Sequence, residues 1–187
     1  MLSFREVTLP DAEMILRWRT QPRVAEMMIT SVNDDINEQR RWLKNSYDSP
    51  SYYHWIMQKD GRDVGLVSAS HIDRQNGTAS WGLYVGSDAD LGVGATVPAY
   101  FYNFLFDQPL GINTITAEVL EANSTVVRMH TIYGYQRTPE FDFDAEVAGS
   151  RKRMLTMALT RENWARQVRF HSFRADFPTT KWTARGY

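Results

Sequence analysis

The residues that most clearly indicate a chemical function are the glycines of a short run, residues 91–96, with the sequence Leu-Gly-Val-Gly-Ala-Thr. This glycine run follows a strand-like stretch, residues 79–85, and precedes a long apolar stretch typical of a helix. Glycine lets successive backbone amides point the same way, and the N-terminal end of a helix carries partial positive charge. The run predicts a diphosphate site, although a tight strand-to-helix connection has the same composition.

The composition excludes cysteine chemistry and argues against a serine nucleophile and a metal site. The 187 residues contain no cysteine, which excludes a cysteine nucleophile, thiolate metal sites and disulfides. No Gly-x-Ser-x-Gly sequence marks a serine nucleophile, and the four histidines lack metal-ligand spacing, so no metal is expected. A group transfer by this protein is therefore expected to be direct, from donor to acceptor within one complex.

Length and charge predict one soluble domain. A hydrophobic content of 43% suits a single sizeable core, and no apolar run is long enough to span a bilayer, so we expect a cytoplasmic protein without a membrane partner. Residues 150–187 hold nine Lys or Arg against two Asp or Glu. This basic end suits contact with a phosphorylated substrate, with a second subunit as in a homodimer, or with the surface of its own domain. No nucleic acid partner is expected.

The first half of the chain predicts strand, helix, helix and then a meander of strands. Pro10 is a helix-initiating residue followed by an acidic first turn, and the pairs Asp60-Gly61 and Asn76-Gly77 are typical of hairpin turns. The expected elements are a strand from Leu2, helices over 11–19 and from Asn33 as cap, and strands over 52–57, 64–72 and 78–85.

The second half alternates strands and helices. Gly111 and Gly134 are typical of helix ends, and Thr160 is a good cap for a last helix. The expected elements are a helix over 97–106, a strand over 114–120, a helix from Asn123 to about Tyr133, a strand over 154–159 and a helix after Thr160. This order predicts a mixed α/β, α+β-like sheet rather than a doubly wound one.

The spacing of these features resembles that of the GCN5-related N-acetyltransferase (GNAT) superfamily. Its phosphate-loop pattern is Gln or Arg, two residues, Gly, one residue, and Gly or Ala; Gly92 and Gly94 match, whereas Ala89 replaces the opening polar residue. Its second pattern, an Asn opening a helix that ends in Gly plus an aromatic residue, is matched by Asn123 and the pair Gly134-Tyr135.

The resemblance implies the GNAT fold and a division of the chain. The fold has a central, twisted, mixed and mostly antiparallel sheet flanked by helices, splayed at the strand before the phosphate loop. The acetyltransferase domain would comprise residues 1–164, followed by a basic extension of unknown role, residues 165–187.

A narrower likeness is to the N-acetyltransferases of pseudaminic acid biosynthesis and, more distantly, to ribosomal-protein N-terminal acetyltransferases. It implies acetyl-CoA as co-substrate and, as acceptor, the amine of a nucleotide-linked aminodideoxy sugar; a protein N-terminus or a polyamine is the alternative. Because Ala89 and His130 depart from the family pattern, a non-catalytic CoA-binding regulatory module is a second alternative. The likeness lies in segments 64–66, 72–79, 82–84 and 118–120.

The resemblance also implies roles for individual residues. The amide of Val85 would polarise the thioester carbonyl. His130 stands seven residues after Asn123, where many relatives carry a tyrosine, and is either the proton donor to the leaving thiolate or a packed side chain. Glu118 is the predicted base, with a structural carboxylate as the alternative and His71 and Asp73 as second candidates for the base. The predicted cofactor-binding residues are Leu83, Tyr84, Val85, Leu91, Gly92, Val93, Gly94, Ala95, Thr96, Asn123 and His130.

Four residues are predicted to contact the acceptor, and Trp42 of the second helix is expected to line the same groove. Trp18 and Arg19 belong to the first helix, a region that contacts the acceptor in related enzymes, whereas His71 and Asp73 end a neighbouring strand. A polyamine site should be lined with carboxylates and a nucleotide-sugar site with Arg and aromatic side chains, so the pair Trp18-Arg19 favours the nucleotide sugar.

Overall fold

An eight-stranded sheet runs through the computed structural model, which describes residues 1–180. The order across the sheet is β1-β2-β3-β4-β5-β8-β6, with β7 also paired to β8. Among the pairings of residues 1–180, only β4 with β5 is parallel. The predicted mixed, mostly antiparallel sheet is therefore confirmed. The strands are β1 Leu2–Glu6, β2 Tyr53–Lys59, β3 Arg62–Asp73, β4 Thr78–Val85, β5 Thr114–Leu120, β6 Gln136–Arg137, β7 Phe143–Val147 and β8 Ser150–Thr160.

Helices cover both faces of the sheet. Because side chains alternate along a strand, Ile56, Leu66 and Tyr84 pack under the first three helices, whereas Val67 and Val85 belong to the core around the fourth. The helices are α1 Ala12–Arg19, α2 Pro22–Ala25, α3 Ile36–Asp48, α4 Leu91–Asp107, α5 Ser124–Ile132 and α6 Arg161–Ala165. We call the face under α1–α3 the acceptor face, after the acceptor contact predicted for the first helix, and the opposite one the α4 face.

Several predicted boundaries are wrong for local reasons. Helix α3 begins at Ile36, because Asp35 rather than Asn33 caps it, its carboxylate accepting the N–H of Asn37 at 2.7 Å. Helix α4 begins at Leu91, earlier than expected, so the glycine run forms its first turn. The short strands β6 and β7 were not expected: β6 has only two residues, whereas in β7 Phe143, Ala145 and Val147 do alternate with carboxylates, a short pattern that the sequence analysis did not use.

The described part of the extension, residues 165–180, packs on the core. Phe177 is buried, with its ring stacked 4.0 Å from that of Phe4 and 4.5 Å from that of Phe104. The indole N–H of Trp55 donates to the Pro178 carbonyl at 2.8 Å. Residues 165–180 therefore complete the hydrophobic core, whereas residues 181–187 of the predicted extension lie outside the described residues.

Candidate active site

The sheet opens between β4 and β5. These strands pair through Thr78–Thr114, Ala79–Ile115 and Ser80–Thr116, after which β4 continues beside β3 and β5 continues beside β8. The edges of β4 after Ser80 and of β5 after Thr116 consequently face each other without pairing. This gap between the strands offers backbone N–H and C=O groups to an extended ligand, as an exposed sheet edge does.

The alternation of the backbone decides which amides of β4 face the gap. The N–H of Gly86 donates to the Val64 carbonyl on the β3 side at 2.7 Å. Successive residues direct their N–H and C=O groups to opposite sides, so those of Val85 and Leu83 point away from β3 and those of Tyr84 face β3. The Val85 carbonyl already accepts from Arg23 Nη2 at 2.8 Å, which leaves its N–H for a ligand. The amide groups of Tyr84 belong to the β3 ladder, and its predicted contact with the cofactor stays a prediction.

The first turn of α4 lies beside the end of β4. The side chain of Asp90, the N-cap residue, makes no capping hydrogen bond, so the first amides of α4 are not satisfied by that side chain. A Cβ atom built on Gly94 would lie 3.5 Å from a methyl carbon of Val85, whereas one built on Gly92 would meet no atom within 4 Å. Gly94 thus packs on β4, and Gly92 faces open space.

Basic side chains neutralise the carboxylates that precede α4. Asp90 is 3% exposed and lies 3.5 Å from Lys59 Nζ and 3.4 Å from Arg62 Nη2. Asp88 lies 3.0 Å from the Nε of Arg23. These pairs limit the repulsion that the two carboxylates would exert on an anion at the N-terminus of α4.

The remaining predicted cofactor residues lie on α4 and at the ends of α5. Leu91 and Ala95 are exposed, Val93 is buried in the core, and the Thr96 hydroxyl donates to the Gly92 carbonyl at 3.2 Å. Asn123 caps α5, as predicted, by accepting the N–H of Val126 at 3.3 Å.

A tyrosine ties the C-terminal end of α5 to the glycine run. The hydroxyl of Tyr133 donates to the Ala95 carbonyl. Burial raises the pKa of Tyr133 to about 12, so this phenol is a poor proton donor near neutrality.

His130 does not have the geometry of a proton donor. It is 4% exposed, and its Nδ1–H donates to the Val126 carbonyl at 2.8 Å. Burial lowers the pKa of His130, which favours the neutral ring, and a neutral ring protonated on Nδ1 has a bare Nε2 that only accepts. This arrangement fits the alternative of a packed histidine, and the proton-donor role stays a prediction.

Glu118 lies on the acceptor face at the gap. It follows Thr116 by two residues, so both side chains leave the same face of β5, and the Thr116 hydroxyl lies 2.6 Å from that of Ser80. Glu118 is exposed and pairs in register with Thr156 of β8. A carboxylate there has access both to solvent and to a ligand in the gap.

The two early residues predicted to bind the acceptor have different surroundings. Trp18 is 6% exposed and fills the space beside Gly86, so its observed role is packing, and its predicted contact with the acceptor stays a prediction. Arg19 lies on the acceptor face, 5.7 Å from the ring of Tyr84, and donates to the Thr30 carbonyl at 2.9 Å. Its contact with the acceptor stays a prediction.

His71 and Asp73 lie away from the glycine run. They end β3 beside Thr78, the first residue of β4. His71 has a positive φ of 50° and contacts the Tyr52 hydroxyl through Nε2 at 3.1 Å. The carboxylate of Asp73 accepts the backbone N–H of Asn76 at 3.0 Å, so its observed role is to hold the turn. These two residues are not brought together with Glu118.

The register identifies a surface that the sequence did not. His54, Ser68 and Gly82 are aligned across β2, β3 and β4, and small side chains continue this floor towards the gap. The indole of Trp42 lies 4.9 Å from the imidazole of His54 and is 43% exposed. His54 had no motif to mark it, since its position depends on strand register.

A cavity of about 430 Å³ continues this surface beyond His54. It is lined mainly by apolar atoms of α3 and of the ends of β1 and β2, and its polar members include one carboxylate, Glu6, and one ammonium, Lys44, beside Thr8, Tyr47 and His54. Its size lies within the range of small-molecule sites.

Residues 1–180 contain neither a metal-binding cluster nor a membrane-spanning helix. No group of three or more His, Asp or Glu side chains in this range is placed to hold a metal ion. No helix in the described range is long and apolar enough to cross a bilayer.

The gap and the glycine run together fit the cofactor that the sequence resemblance implied. Coenzyme A carries an amide-bearing arm, which suits the Leu83 and Val85 amide groups at the edge of β4, and a diphosphate, which suits the amides of α4. The open space at Gly92 leaves room for close approach to the helix.

Comparisons with known proteins agree with this geometry. A family model described as an acetyltransferase (GNAT) domain matches residues 1–136. Two acetyltransferases PseH from Campylobacter jejuni subsp. jejuni, serotype O:23/36 strain 81-176 and serotype O:2 strain NCTC 11168, are 24% and 22% identical over 128 residues. Each alignment covers 68% of this chain and 78% of the relative.

Solved structures share the fold at low sequence identity. The spermidine N-acetyltransferase from Vibrio cholerae, solved with CoA and spermine, has a TM-score of 0.78 at 13% identity and covers 88% of this chain and 98% of its own. The aminoglycoside acetyltransferase AAC(6')-Ib, solved with coenzyme A, has a TM-score of 0.72 at 15% identity and covers 90% of this chain and 99% of its own. Acceptors as different as polyamines and aminoglycosides are thus found on this fold.

Proposed function

Because the chain belongs to the GNAT acetyltransferases and is an acetyl-CoA-dependent N-acetyltransferase, we propose that its acceptor is the primary amine of a nucleotide-linked amino sugar. One observation carries the proposal for the acceptor. The floor of small side chains leads from the gap, past Gly82 and Ser68, to His54, Trp42 and the cavity behind them.

The dimensions of this surface favour a long acceptor. His54 and Gly82 lie on β2 and β4, two strand spacings apart, which is about 10 Å. An amine at the gap therefore leaves the distal part of its molecule near Trp42 and the cavity. A nucleobase suits the exposed indole, and the Lys44 ammonium at the cavity suits a phosphate.

The charge of the acceptor face argues against a polyamine. On this face, the side chains of β3, β4 and β5 that lie beside the gap within residues 1–180 include one carboxylate, that of Glu118. The neighbouring positions hold Ser, Thr and Gly. A polyamine carries several ammonium groups and is best bound by several carboxylates. Arg19 and Lys44 on this side supply positive charge that suits an anionic acceptor, although the Glu6 carboxylate lines the same cavity as Lys44.

In the proposed reaction the chain contributes positioning, a polarised carbonyl and a base. Acetyl-CoA supplies an activated acetyl group as a thioester. The first amides of α4 bind the diphosphate, and the amide of Leu83 or Val85 donates to the thioester carbonyl, where negative charge develops. Glu118, directly or through water, takes the proton that the acceptor ammonium must lose before its nitrogen attacks. The C–N bond then forms as the C–S bond breaks, and the second proton of the nitrogen passes through solvent to the departing thiolate, which leaves as the free thiol of CoA.

A panel of acceptors tests the proposal. Purified protein and acetyl-CoA are mixed with a UDP-linked aminodideoxy sugar, the same free amino sugar, spermidine, an aminoglycoside and N-terminal peptides, and free thiol is measured. We expect kcat/KM for the nucleotide-linked sugar to exceed that for the free sugar by at least about 100-fold. Higher kcat/KM for spermidine or a peptide would reject the proposal, and thiol release with no amine would favour the regulatory module.

A substitution at the distal end of the surface sharpens this test. Trp42→Ala removes the exposed ring, so KM for the nucleotide-linked sugar should rise about tenfold while KM for the free sugar is unchanged. Ile132→Ala is a matched control, because Ile132 is also exposed but lies at the end of α5. An equal effect of Trp42→Ala on both acceptors would argue against the proposed nucleotide contact.

A further inference from the structure

The segment that leads into α4 has no cation of its own. Residues 86–96, from the end of β4 through the first turn of α4, contain two carboxylates, Asp88 and Asp90, and no Lys, Arg or His. A diphosphate is strongly negative, so the amides of α4 would have to bind it beside these two carboxylates. Positive side chains from other elements are therefore needed at this end of the gap.

Within residues 1–180, three basic side chains form ion pairs with this segment, and they approach it from different sides. Lys59 and Arg62 pair with the buried Asp90 from the turn between β2 and β3, on the β3 side of β4. Arg23 of α2 donates from Nη2 to the Val85 carbonyl at 2.8 Å, and this carbonyl points away from β3. Of the three cations, Arg23 is therefore the one on the side of the gap.

Two contacts hold Arg23 between the end of β4 and the turn that leads into α4. Besides Val85, Arg23 contacts Asp88, whose carboxylate lies 3.0 Å from its Nε. These contacts use Nε and Nη2, which leaves the N–H groups of Nη1 for a ligand, and the side chain is 30% exposed. The Asp88 side chain is 78% exposed, so this ion pair contributes little stability, and its exchange for a phosphate costs little.

We propose that Arg23 binds the diphosphate of acetyl-CoA and supplies the positive charge that residues 86–96 lack. A planar guanidinium suits this role, because it donates to two phosphate oxygens at once. Ala89, which replaces a Gln or Arg of the family pattern, has no polar side chain for the same purpose. The inference rests on the proposed function only for the place of the diphosphate at α4, and it holds for any acceptor.

Calorimetric titration with free CoA is the first test, because it needs neither an acceptor nor turnover. Arg23→Gln should raise Kd for CoA about tenfold or more, as expected for a lost hydrogen bond between charged groups. Kd for dephospho-CoA, which has the diphosphate but not the ribose phosphate, should rise by the same factor. Arg17→Gln, an exposed position on α1, is the matched control and should change neither Kd. A loss confined to CoA, or no loss with either ligand, would overturn the proposal.

A double-mutant cycle separates direct binding of the diphosphate from an indirect effect through Asp88. If Arg23 only neutralised Asp88, Arg23→Gln would have no effect once Asp88→Asn had removed the charge. We expect instead that Arg23→Gln raises Kd for CoA about tenfold in the Asp88→Asn protein as well. Disappearance of the effect in that protein would reject a direct contact.

A ligand without phosphate detects a merely structural role of Arg23. Pantetheine has the amide-bearing arm but no diphosphate, so its Kd, measured by competition with CoA, should be the same in wild type and Arg23→Gln. Equal losses for pantetheine and CoA would show that the variant distorts β4 and would reject the proposal. Should Arg23→Gln fail to fold, Arg23→Lys keeps the charge without the planar fork, and a smaller loss confined to the phosphate-bearing ligands is expected.

Failure of this inference differs from failure of the proposed function. If the acceptor is not a nucleotide-linked sugar, these Kd values stay as expected, because no acceptor is present in the titrations. A diphosphate bound away from α4 would leave the affinity for CoA intact in both Arg23→Gln and Gly94→Leu. Weaker binding in Gly94→Leu with wild-type binding in Arg23→Gln would reject the role of Arg23 alone.

Discussion

Trp18 packs against Gly86 so closely that a Cβ atom built on the glycine would lie 2.2 Å from the indole Nε1. Gly86 follows the last residue of β4, so this contact fixes α1 against the end of the strand that faces the gap. The Gln21 amide nitrogen, just after α1, donates to the Gly86 carbonyl at 3.2 Å. The indole thus belongs to the scaffold of the candidate site rather than to its surface.

We expect Gly86→Ala to destabilise the fold. The added methyl group would overlap three atoms of a rigid, buried ring, and overpacking of this kind costs about 1–3 kcal/mol of the free energy of unfolding. Urea unfolding measures the loss, and Trp18→Phe in the same chain should recover part of it. Gly82→Ala is the control, because its Cβ would lie 3.4 Å from the nearest atom, the Ser68 Oγ.

The two glycines of the run should separate stability from cofactor binding. Gly92→Ala adds a methyl group in open space within a helix, so it should raise the free energy of unfolding by up to about 1 kcal/mol. The same methyl group lies where the diphosphate approaches, so KM for acetyl-CoA should rise. Gly94→Leu should weaken acetyl-CoA binding more strongly, since Gly94 packs on Leu83 and Val85. Calorimetry showing wild-type affinity in both variants would remove the glycine run from the site.

Acid should weaken the junction between β1, β3 and α1. Arg5 donates to both carboxylate oxygens of Asp11, at 2.9 and 2.8 Å, and to Asp63 at 2.6 Å. Burial raises the pKa of Asp11, but hydrogen bonds from Arg5 and Thr8 outweigh it and hold that pKa below its ordinary value. A lowered carboxylate pKa stabilises the fold at neutral pH, and this contribution is lost as pH falls below about 4 towards the folded pKa.

Replacement of Asp11 tests this linkage. Asp11→Asn should cost about 1–3 kcal/mol at pH 7 and flatten the decline of stability with acid. Asp34→Asn is a control of equal charge change, on an exposed carboxylate before α3. Parallel acid profiles for wild type and Asp11→Asn would contradict the assignment.

The sequence predicted the elements of this fold better than its site. Periodicity and turn residues identified the strands around Asp60-Gly61 and Asn76-Gly77, because glycine is needed where φ is positive, as at Gly61 and Gly77. The sequence pattern did not predict that the amide groups of Tyr84 point away from the gap, because their direction depends on the register between β4 and β3.

Side-chain burial limited the site predictions in the same way. Trp18 and His130 carry suitable chemical groups, but tertiary packing buries both. His54 was missed because only the pairing with Ser68 places it beside the floor of the acceptor face. Residue type can suggest a role, whereas access and direction depend on contacts between residues distant in sequence.

Gly82 tests the floor of the acceptor face. Gly82→Val places a branched side chain on that floor, so kcat/KM for the acceptor should fall about 10- to 100-fold. KM for acetyl-CoA should change little, since the amide groups that face the gap belong to Leu83 and Val85. Thr114→Val, on the same face of β5 but at the far end of the paired segment, should leave both constants unchanged. Loss of acetyl-CoA binding alone in Gly82→Val would argue against an acceptor on this face.

Glu118 tests the base. Glu118→Gln keeps the shape of the side chain but removes proton acceptance, so kcat should fall about 100-fold or more at neutral pH, the range typical of a positioned base. At high pH the acceptor amine loses its proton in solution, so the defect should shrink as pH rises. Glu121→Gln, an exposed carboxylate after β5, controls for the change in charge. A deficit in Glu118→Gln that is constant with pH, or confined to KM for the acceptor, would show that the carboxylate binds the ammonium and that solvent removes its proton.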